Sequence, residues 1–428
     1  MTEGCLFSLF YHSCKEEEKM KKLVTAALVL AMTVGCLAGC GGSGASEEKD
    51  ANAFYIGGIG PTTGATAIYG NAAKNGAQIA IDEINEAGGI NGAQIEYRFE
   101  DDQNDAEKSV NAYNTLKDWG MQILYGAVTT APSIAVADMT ATDNMFQITP
   151  SASSTDVIEG KTNVFQVCFT DPNQGTASAQ YIDEHNLATK IGIIYDSSDP
   201  YSTGIEDNFV KEAESRGLQI VAEEAFTADS KTDFQTQLQK AQSAGADLIF
   251  LPIYYQEASI ILQQANNMGY APTFFGVDGM DGILTVENFD TSLAEGVMLL
   301  TPFAADAQDD ATVSFVTKYQ EQFGETPNQF AADGYDAIYT IKAAIEQAGV
   351  TPDMDASAIC DALKTAMTQI TVQGLTGDEG GLKWSETGEV NKSPKAVVIQ
   401  NGVYVGMDSD ASAATEAATP EADTAAQQ

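Results

Sequence analysis

The stretch from Phe54 to Asp102 constrains the chain more than any other. It opens with a short apolar run, Phe54–Ile59, punctuated by Gly58 and Gly60. Ala73, Ala77, Ala80, Ile81 and Ile84 then recur at three- and four-residue steps, the spacing of one buried helix face. Gly88 and Gly89 follow the last periodic residue and give the backbone the freedom to stop a helix. A second apolar run, Ile95–Phe99, ends on Glu100, Asp101 and Asp102. Strand, helix and strand in this order make a βαβ unit, which predicts a parallel sheet with a right-handed crossover. Ligands of such sheets sit beyond the carboxyl ends of strands. The loop Gly60–Gly70 is therefore expected to border a binding site.

The same alternation continues downstream. A helix is expected over Asp105–Asp118, a strand over Met121–Tyr125, a helix over Ile134–Thr142 and a strand over Phe146–Thr149. Val164–Cys168 reads as another strand, followed by Phe169-Thr170-Asp171-Pro172 as a crossing between two halves. A second run of βα units starts at Ile191–Tyr195 and extends to the strand Gly296–Leu300. Helices over Thr312–Phe323, Phe330–Ala348 and Ala356–Met367 are expected to rejoin the first half. Thr301-Pro302-Phe303 and Gly374-Leu375-Thr376-Gly377 read as further crossings, and Leu382–Trp384, Ala396–Ile399 and Val403–Val405 as short strands of the second half. Periodicity alone thus predicts two parallel α/β lobes.

Both ends differ from this core. Lys21-Lys22, the apolar run Leu23–Val34 and Leu37-Ala38-Gly39-Cys40 closely match a bacterial lipoprotein signal. The apolar run is shorter than the roughly 20 residues a spanning helix needs. Cleavage before Cys40, lipidation there and membrane attachment only through the lipid are expected. Cleavage elsewhere, leaving an unanchored protein, is the alternative. Residues 1–19 do not resemble a leader, and Met20 is the expected start. Residues 40–53 read as a flexible tether and 407–428 as a disordered tail.

Charge excludes several functions. The net charge is −40, and residues 54–406 carry −33 of it. Such a surface repels phosphate backbones, so no nucleic-acid partner is expected. Arg98 and Arg216 are the only arginines, and neither falls in a loop at the expected site, which argues against a bidentate clamp for a second carboxylate. No Cys-x-x-Cys or Cys/His cluster exists, so no metal or cofactor is expected. Cys168 and Cys360 are expected to be buried free thiols.

An enzyme is not expected. Gly58-Ile59-Gly60-Pro61-Thr62-Thr63 misses the dinucleotide fingerprint at its third glycine, and Glu100 lies 40 residues beyond Gly60 where that fingerprint wants about 20. His185, in Asp183-Glu184-His185-Asn186, is the one histidine within the folded part and reads as a solvated surface residue; no Gly-x-Ser-x-Gly accompanies it.

Pro61, Gly64, Tyr69-Gly70, Asn75-Gly76-Ala77, Ile84-Asn85, Ala87-Gly88-Gly89-Ile90-Asn91-Gly92 and Asp101-Asp102, in that order, resemble the opening of branched-chain amino-acid-binding proteins of ABC importers. The resemblance extends over roughly residues 54–406. It implies a type I periplasmic binding protein fold: two doubly wound parallel-sheet lobes joined by three crossover segments, with ligand in the cleft between them. One lobe would comprise 54–169 and 303–373, the other 170–302 and 374–406. It implies a monomer that captures a small neutral amino acid, with branched-chain ligands foremost, and delivers it to an ABC permease in the membrane. A short amide or urea binder on the same fold, or an extracellular sensor, are the alternatives.

The resemblance also places the site. Thr130, Ser151 and Ser153 match positions that hold the ligand carboxylate and, through main-chain oxygen, part of the ammonium; ordinary helix capping is the plainer reading of each. Asp278, in Gly276-Val277-Asp278-Gly279, matches the position of the anionic partner of the ammonium, where relatives carry Glu or Asp. The aromatic contacts fall on Tyr69, Tyr201, Tyr254 and Phe330, and whether Tyr254 or Tyr255 faces the cleft is open.

Overall fold

The computed structural model of the protein describes residues 50–407. The readings made of residues 1–49 and 408–428, including Met20, Cys40 and the acidic tail, lie outside the described residues. All helices and strands of the described residues belong to the unit that begins at Ala51.

The opening unit forms β1 (Ala53–Gly60), α1 (Ala67–Glu86) and β2 (Gln94–Asp101). It is followed by α2 (Ala106–Trp119), β3 (Ile123–Gly126), α3 (Thr130–Asp143), β4 (Phe146–Thr149) and β5 (Val164–Gln166). These strands make a fully parallel sheet in the order β2-β1-β3-β4-β5. Helices cover both faces, so β3 and β4 are buried along their whole length, as parallel strands must be when neither face meets water. The strand order reverses between β1 and β3, the crevice where such sheets bind ligands.

The second half repeats the plan. Its elements are α4 (Asp171–Glu184), β6 (Ile191–Asp196), α5 (Pro200–Arg216), β7 (Ile220–Phe226), α6 (Gln235–Ala244), β8 (Leu248–Leu251), α7 (Tyr255–Asn267), β9 (Thr273–Gly276) and β10 (Met298–Thr301). Antiparallel β11 (Lys395–Gln400) and β12 (Val403–Gly406) extend the sheet to β12-β11-β10-β9-β8-β6-β7. Its reversal lies between β6 and β8.

Between β10 and β11 the chain supplies α8 (Asp310–Phe323), α9 (Gln329–Ala348) and α10 (Ala356–Ala366). α9 crosses α1 with backbones in contact. A Cβ on Gly76 would lie 1.8 Å from the Ala331 carbonyl oxygen, and one on Gly334 would lie 2.4 Å from that of Ala73. Only glycine admits this approach, and it fixes the starts of both helices, which carry Tyr69 and Phe330.

Two sequence expectations need correction. The strand expected over Val164–Cys168 ends at Gln166. Leu382–Trp384 forms no strand of the second sheet: Leu382 and Trp384 make only isolated bridges, to Val372 and Val390. Trp384 Nε1 instead donates to the Gln166 carbonyl at 2.8 Å, and Gln166 N–H donates to Gly388 O at 2.9 Å. This segment completes the edge of the first sheet beyond β5. Cys168 and Cys360 are buried free thiols.

Candidate amino-acid cleft

Both reversal crevices open towards each other, and the predicted residues collect there. Tyr69, Thr130, Ser151, Tyr201, Tyr254, Asp278 and Phe330 line one small cavity, together with Val128, Thr129 and Gly279. The space between them is about 10 Å³, enough for about one water molecule. Ser153 is not in the lining.

Each residue reaches the cleft from the end of an element. Thr129 is the residue before α3, and Thr130 begins it, so the first-turn amides there have no helical carbonyl to bond. Thr129 does not cap the helix with its side chain; its hydroxyl donates to Asn104 Oδ1 at 2.7 Å. Ser151 Oγ donates to the Val128 carbonyl at 2.6 Å, so it holds one wall in place. Capping therefore explains none of Thr130, Ser151 and Ser153. The acidic end of β2 has a supporting role: Asp101 accepts Thr62 N–H at 2.8 Å and the Thr63 hydroxyl at 2.5 Å, pinning the loop that leads to Tyr69.

From the other lobe, Asp199 precedes α5 and accepts Tyr201 N–H at 3.1 Å, which sets the tyrosine. The Tyr201 hydroxyl donates to Asp278 Oδ1 at 2.5 Å and accepts Gly279 N–H at 2.9 Å. Tyr201 stacks on Tyr254 at 4.8 Å, Tyr69 meets Tyr254 edge-on at 5.5 Å, and Phe330 lies 4.4 Å from Tyr69. Tyr254 faces the cleft. Tyr255 points along it, donating from its hydroxyl to Ala65 O at 2.6 Å.

The lobes touch directly across this space. Tyr69 donates its hydroxyl to the Gly279 carbonyl and accepts Tyr255 N–H at 3.2 Å. Gln329 Nε2 donates to Asp278 O at 2.9 Å.

Asp278 is 3% exposed, and burial pushes its carboxyl up to about 7 in spite of the bond from Tyr201. Among the described residues, no lysine or arginine lines the cavity. The sequence reading missed a second carboxyl nearby. Asp171, at the first turn of α4, is 1% exposed, and neither carboxylate oxygen has a hydrogen-bond partner among the described residues by distance and angle. Its N–H donates to Ser153 O at 2.9 Å, and the Ser153 hydroxyl lies close enough to ease its charge. Burial drives the Asp171 carboxyl well up, and Asp278 and Asp199 add to that. Gln174, one turn on in the same helix, accepts Asp278 N–H at 3.2 Å. In sequence, Asp171-Pro172 reads as part of a crossing between the halves, and only the packing of α4 on α5, which sets the carboxyl against Gly204, shows it to be buried.

Two lobes with mirrored crevices, a hydroxyl and amide wall on one side and an aromatic and acidic wall on the other, define a solute-binding protein. A sequence model of the periplasmic binding protein family matches residues 53–425, and the chain belongs to that family. Among its relatives, Leu/Ile/Val-binding protein homolog 3 of Brucella melitensis is 29% identical over 293 residues, covering 68% of this chain and 78% of the relative. The leucine-, isoleucine-, valine-, threonine- and alanine-binding protein of Pseudomonas aeruginosa is 28% identical over 71% of this chain and 80% of its own. Among solved structures, LivJ of Streptococcus pneumoniae in complex with isoleucine superposes with a TM-score of 0.74 at 27% identity, covering 83% of this chain and 99% of that one. A benzoate complex from R. palustris, at 18% identity and TM-score 0.72, shares the fold alone. Family membership makes this chain an extracytoplasmic binding protein and not an enzyme. No described helix is long and apolar enough to cross a membrane.

Proposed function

We propose that the protein captures a small neutral amino acid, leucine, isoleucine or valine foremost, and delivers it to an ABC permease. The observation that carries this reading is the opposition of Asp278 to the Thr130–Ser151 wall across an aromatic box, with no basic side chain in the lining. The ligand carboxylate would take the Thr130 hydroxyl and the first-turn amides of α3. The ammonium would lie against Asp278, with the Asp171 carboxyl buried behind the lining, and the side chain against Tyr69, Tyr201, Tyr254 and Phe330. Ser153 would act from behind, holding Asp171. Two buried carboxyls favour a cation over a urea or amide, which carries no charge to offset them. The relatives' names support the ligand class, and the sequence Leu37-Ala38-Gly39-Cys40 supports a lipid anchor at Cys40.

The test is a calorimetric screen of the protein, stripped of bound ligand by unfolding and refolding, against the amino acids, acetamide and urea. Saturable heat with leucine, isoleucine or valine is expected. Heat from acetamide or urea alone would replace this reading with the amide one, and silence from every neutral amino acid would end it.

A further inference from the structure

Tyr201 and Tyr254 each have a second face. One side of the stacked pair lines the cleft, and the other, with Ser202 and Ile253, lines a tighter compartment that has no room for a water molecule. Three carboxyls face that compartment: Asp196 at the end of β6, Asp199 just before α5 and Glu257 in the first turn of α7. Asp196 and Glu257 are buried and Asp199 half-buried. Among the described residues, Lys231 is the one cation that lines it. From the loop between β7 and α6, its ammonium reaches Asp196 Oδ2 at 2.9 Å and Glu257 Oε1 at 3.6 Å.

The acids are tied to the wall in front of them. Asp199 accepts Tyr201 N–H at 3.1 Å, and the Tyr254 hydroxyl lies close enough to ease its charge. Asp196 N–H donates to Ser202 Oγ at 2.8 Å, and that hydroxyl donates to Pro252 O at 2.6 Å, joining the start of α5 to the turn that carries Tyr254. Burial raises Asp199, to about 6, and raises Glu257; Asp196 adds to both, and Lys231 opposes it. Across the rings lie two further acids, Asp171 and Asp278, while Asp229 and Asp233 of the lysine's own loop are exposed. Without Lys231 the compartment would hold three carboxyls and no cation. Like charges in a dry space repel strongly.

We propose that Lys231 is a positioning residue for the cleft: from behind the aromatic wall its ammonium offsets Asp196, Asp199 and Glu257 and so keeps Tyr201 and Tyr254 stacked where the ligand side chain meets them. It does not touch the ligand. With the ammonium gone, the carboxyls would repel one another and draw in water, and the rings that partition the two spaces would lose their backing. The fault would be electrostatic, so protonation would mend it. Raised carboxyls lose their charge as pH falls, so the damage is greatest at pH 8 and shrinks by pH 6.

Lys231→Met keeps the stem of the side chain and removes its charge. Leucine affinity is measured by calorimetry on the parent protein and the variants at pH 8 and pH 6; the pH dependence through Asp278 is common to all and cancels in the ratio. Lys231→Met should bind leucine about tenfold more weakly than the parent at pH 8 and within about threefold of it at pH 6. Lys231→Met combined with Glu257→Gln, which removes one acid along with the cation, should stay within about threefold at both. Fluorine NMR of ligand-free protein labelled with fluorotyrosine reads the rings directly. The Tyr201 and Tyr254 resonances, assigned by Tyr201→Phe and Tyr254→Phe, should shift in Lys231→Met at pH 8 and return towards the parent positions at pH 6. Full leucine affinity in Lys231→Met at pH 8, a deficit equal at both pH values, no recovery in the double variant, or unmoved resonances would each overturn the proposal. The effect on leucine rests on the function proposed above; the effect on the rings does not. If the parent protein binds no leucine, that function fails, and the resonances alone decide the role of Lys231.

Discussion

Asp278→Asn separates two effects of one buried carboxyl that have opposite signs. In the ligand-free protein the charge is a burden. Its folded pKa of about 7, against an ordinary value of 3.8, means that the stability associated with this group is fully present below the unfolded value and is lost as pH rises through about 7. At about 1.4 kcal/mol per unit, the loss reaches about 4 kcal/mol as a ceiling above pH 7, and about 1–2 kcal/mol at pH 5. Asparagine keeps the shape and the bond from Tyr201 but removes the charge. The ligand-free variant should therefore melt a few degrees above the parent protein at pH 8, and the gap should narrow at pH 5. With ligand the sign reverses. A buried ammonium without its anion costs about 3–5 kcal/mol, or roughly a hundred- to several-thousandfold in affinity. Calorimetry should show weak or absent leucine binding, and saturating leucine should raise the melting temperature of the parent protein only. Binding within threefold of the parent, or a melting gap that does not change with pH, would refute the reasoning.

Leucine affinity in the unaltered protein should fall tenfold per pH unit, or more steeply, as pH drops below about 7, because the carboxyl must be ionised to hold the ammonium; a flat titration from pH 8 to 5 would contradict this. Glutamate and aspartate should bind at least a thousandfold more weakly than leucine, because a side-chain carboxylate would be buried beside acids and no base; calorimetry of the two ligands checks it. Gly279→Ala would bring a Cβ to 2.5 Å from the Tyr201 hydroxyl and 3.0 Å from Ile253 O, and overpacking of about 1–3 kcal/mol should weaken leucine roughly five- to hundredfold; unchanged affinity would show that the Tyr201–Asp278 contact is dispensable. Cys40→Ser should move the protein from the membrane fraction to the medium with leucine affinity unchanged, as fractionation and titration will show.

How much of this was legible beforehand follows from the range of each signal. The βαβ unit from Phe54 to Asp102 declares itself because strand and helix periods are local, and both crevices then follow from topology. Tyr69, Thr130, Ser151, Tyr201, Tyr254, Asp278 and Phe330 were reachable because each sits at the end of an element in a recognisable motif. Asp171 was not, since its Asp-Pro pair reads as part of a crossing and nothing local records that the carboxyl packs against Gly204 of α5. Tyr254 and Tyr255 could not be told apart, because both rings meet Tyr69 and only the stacking of Tyr254 on Tyr201, distant in sequence, separates them. Leu382–Trp384 went to the wrong sheet because the bond from Trp384 to Gln166 joins residues far apart in sequence, and no period records it.

The crossing of α1 and α9 at Gly76 and Gly334 makes one half of the cleft a single cast part. Tyr69 lies two turns before one glycine and Phe330 about one turn before the other, so the backbone that carries either ring cannot shift without dragging a helix that is already in contact. Reprogramming the ligand by substitutions around those two rings would work against a fixed jig. The adjustable half is the other lobe, where Tyr201 sits in the first turn of α5 and Tyr254 and Asp278 sit in the turns after β8 and β9. A library for new specificities, or a dye placed to report occupancy, belongs there.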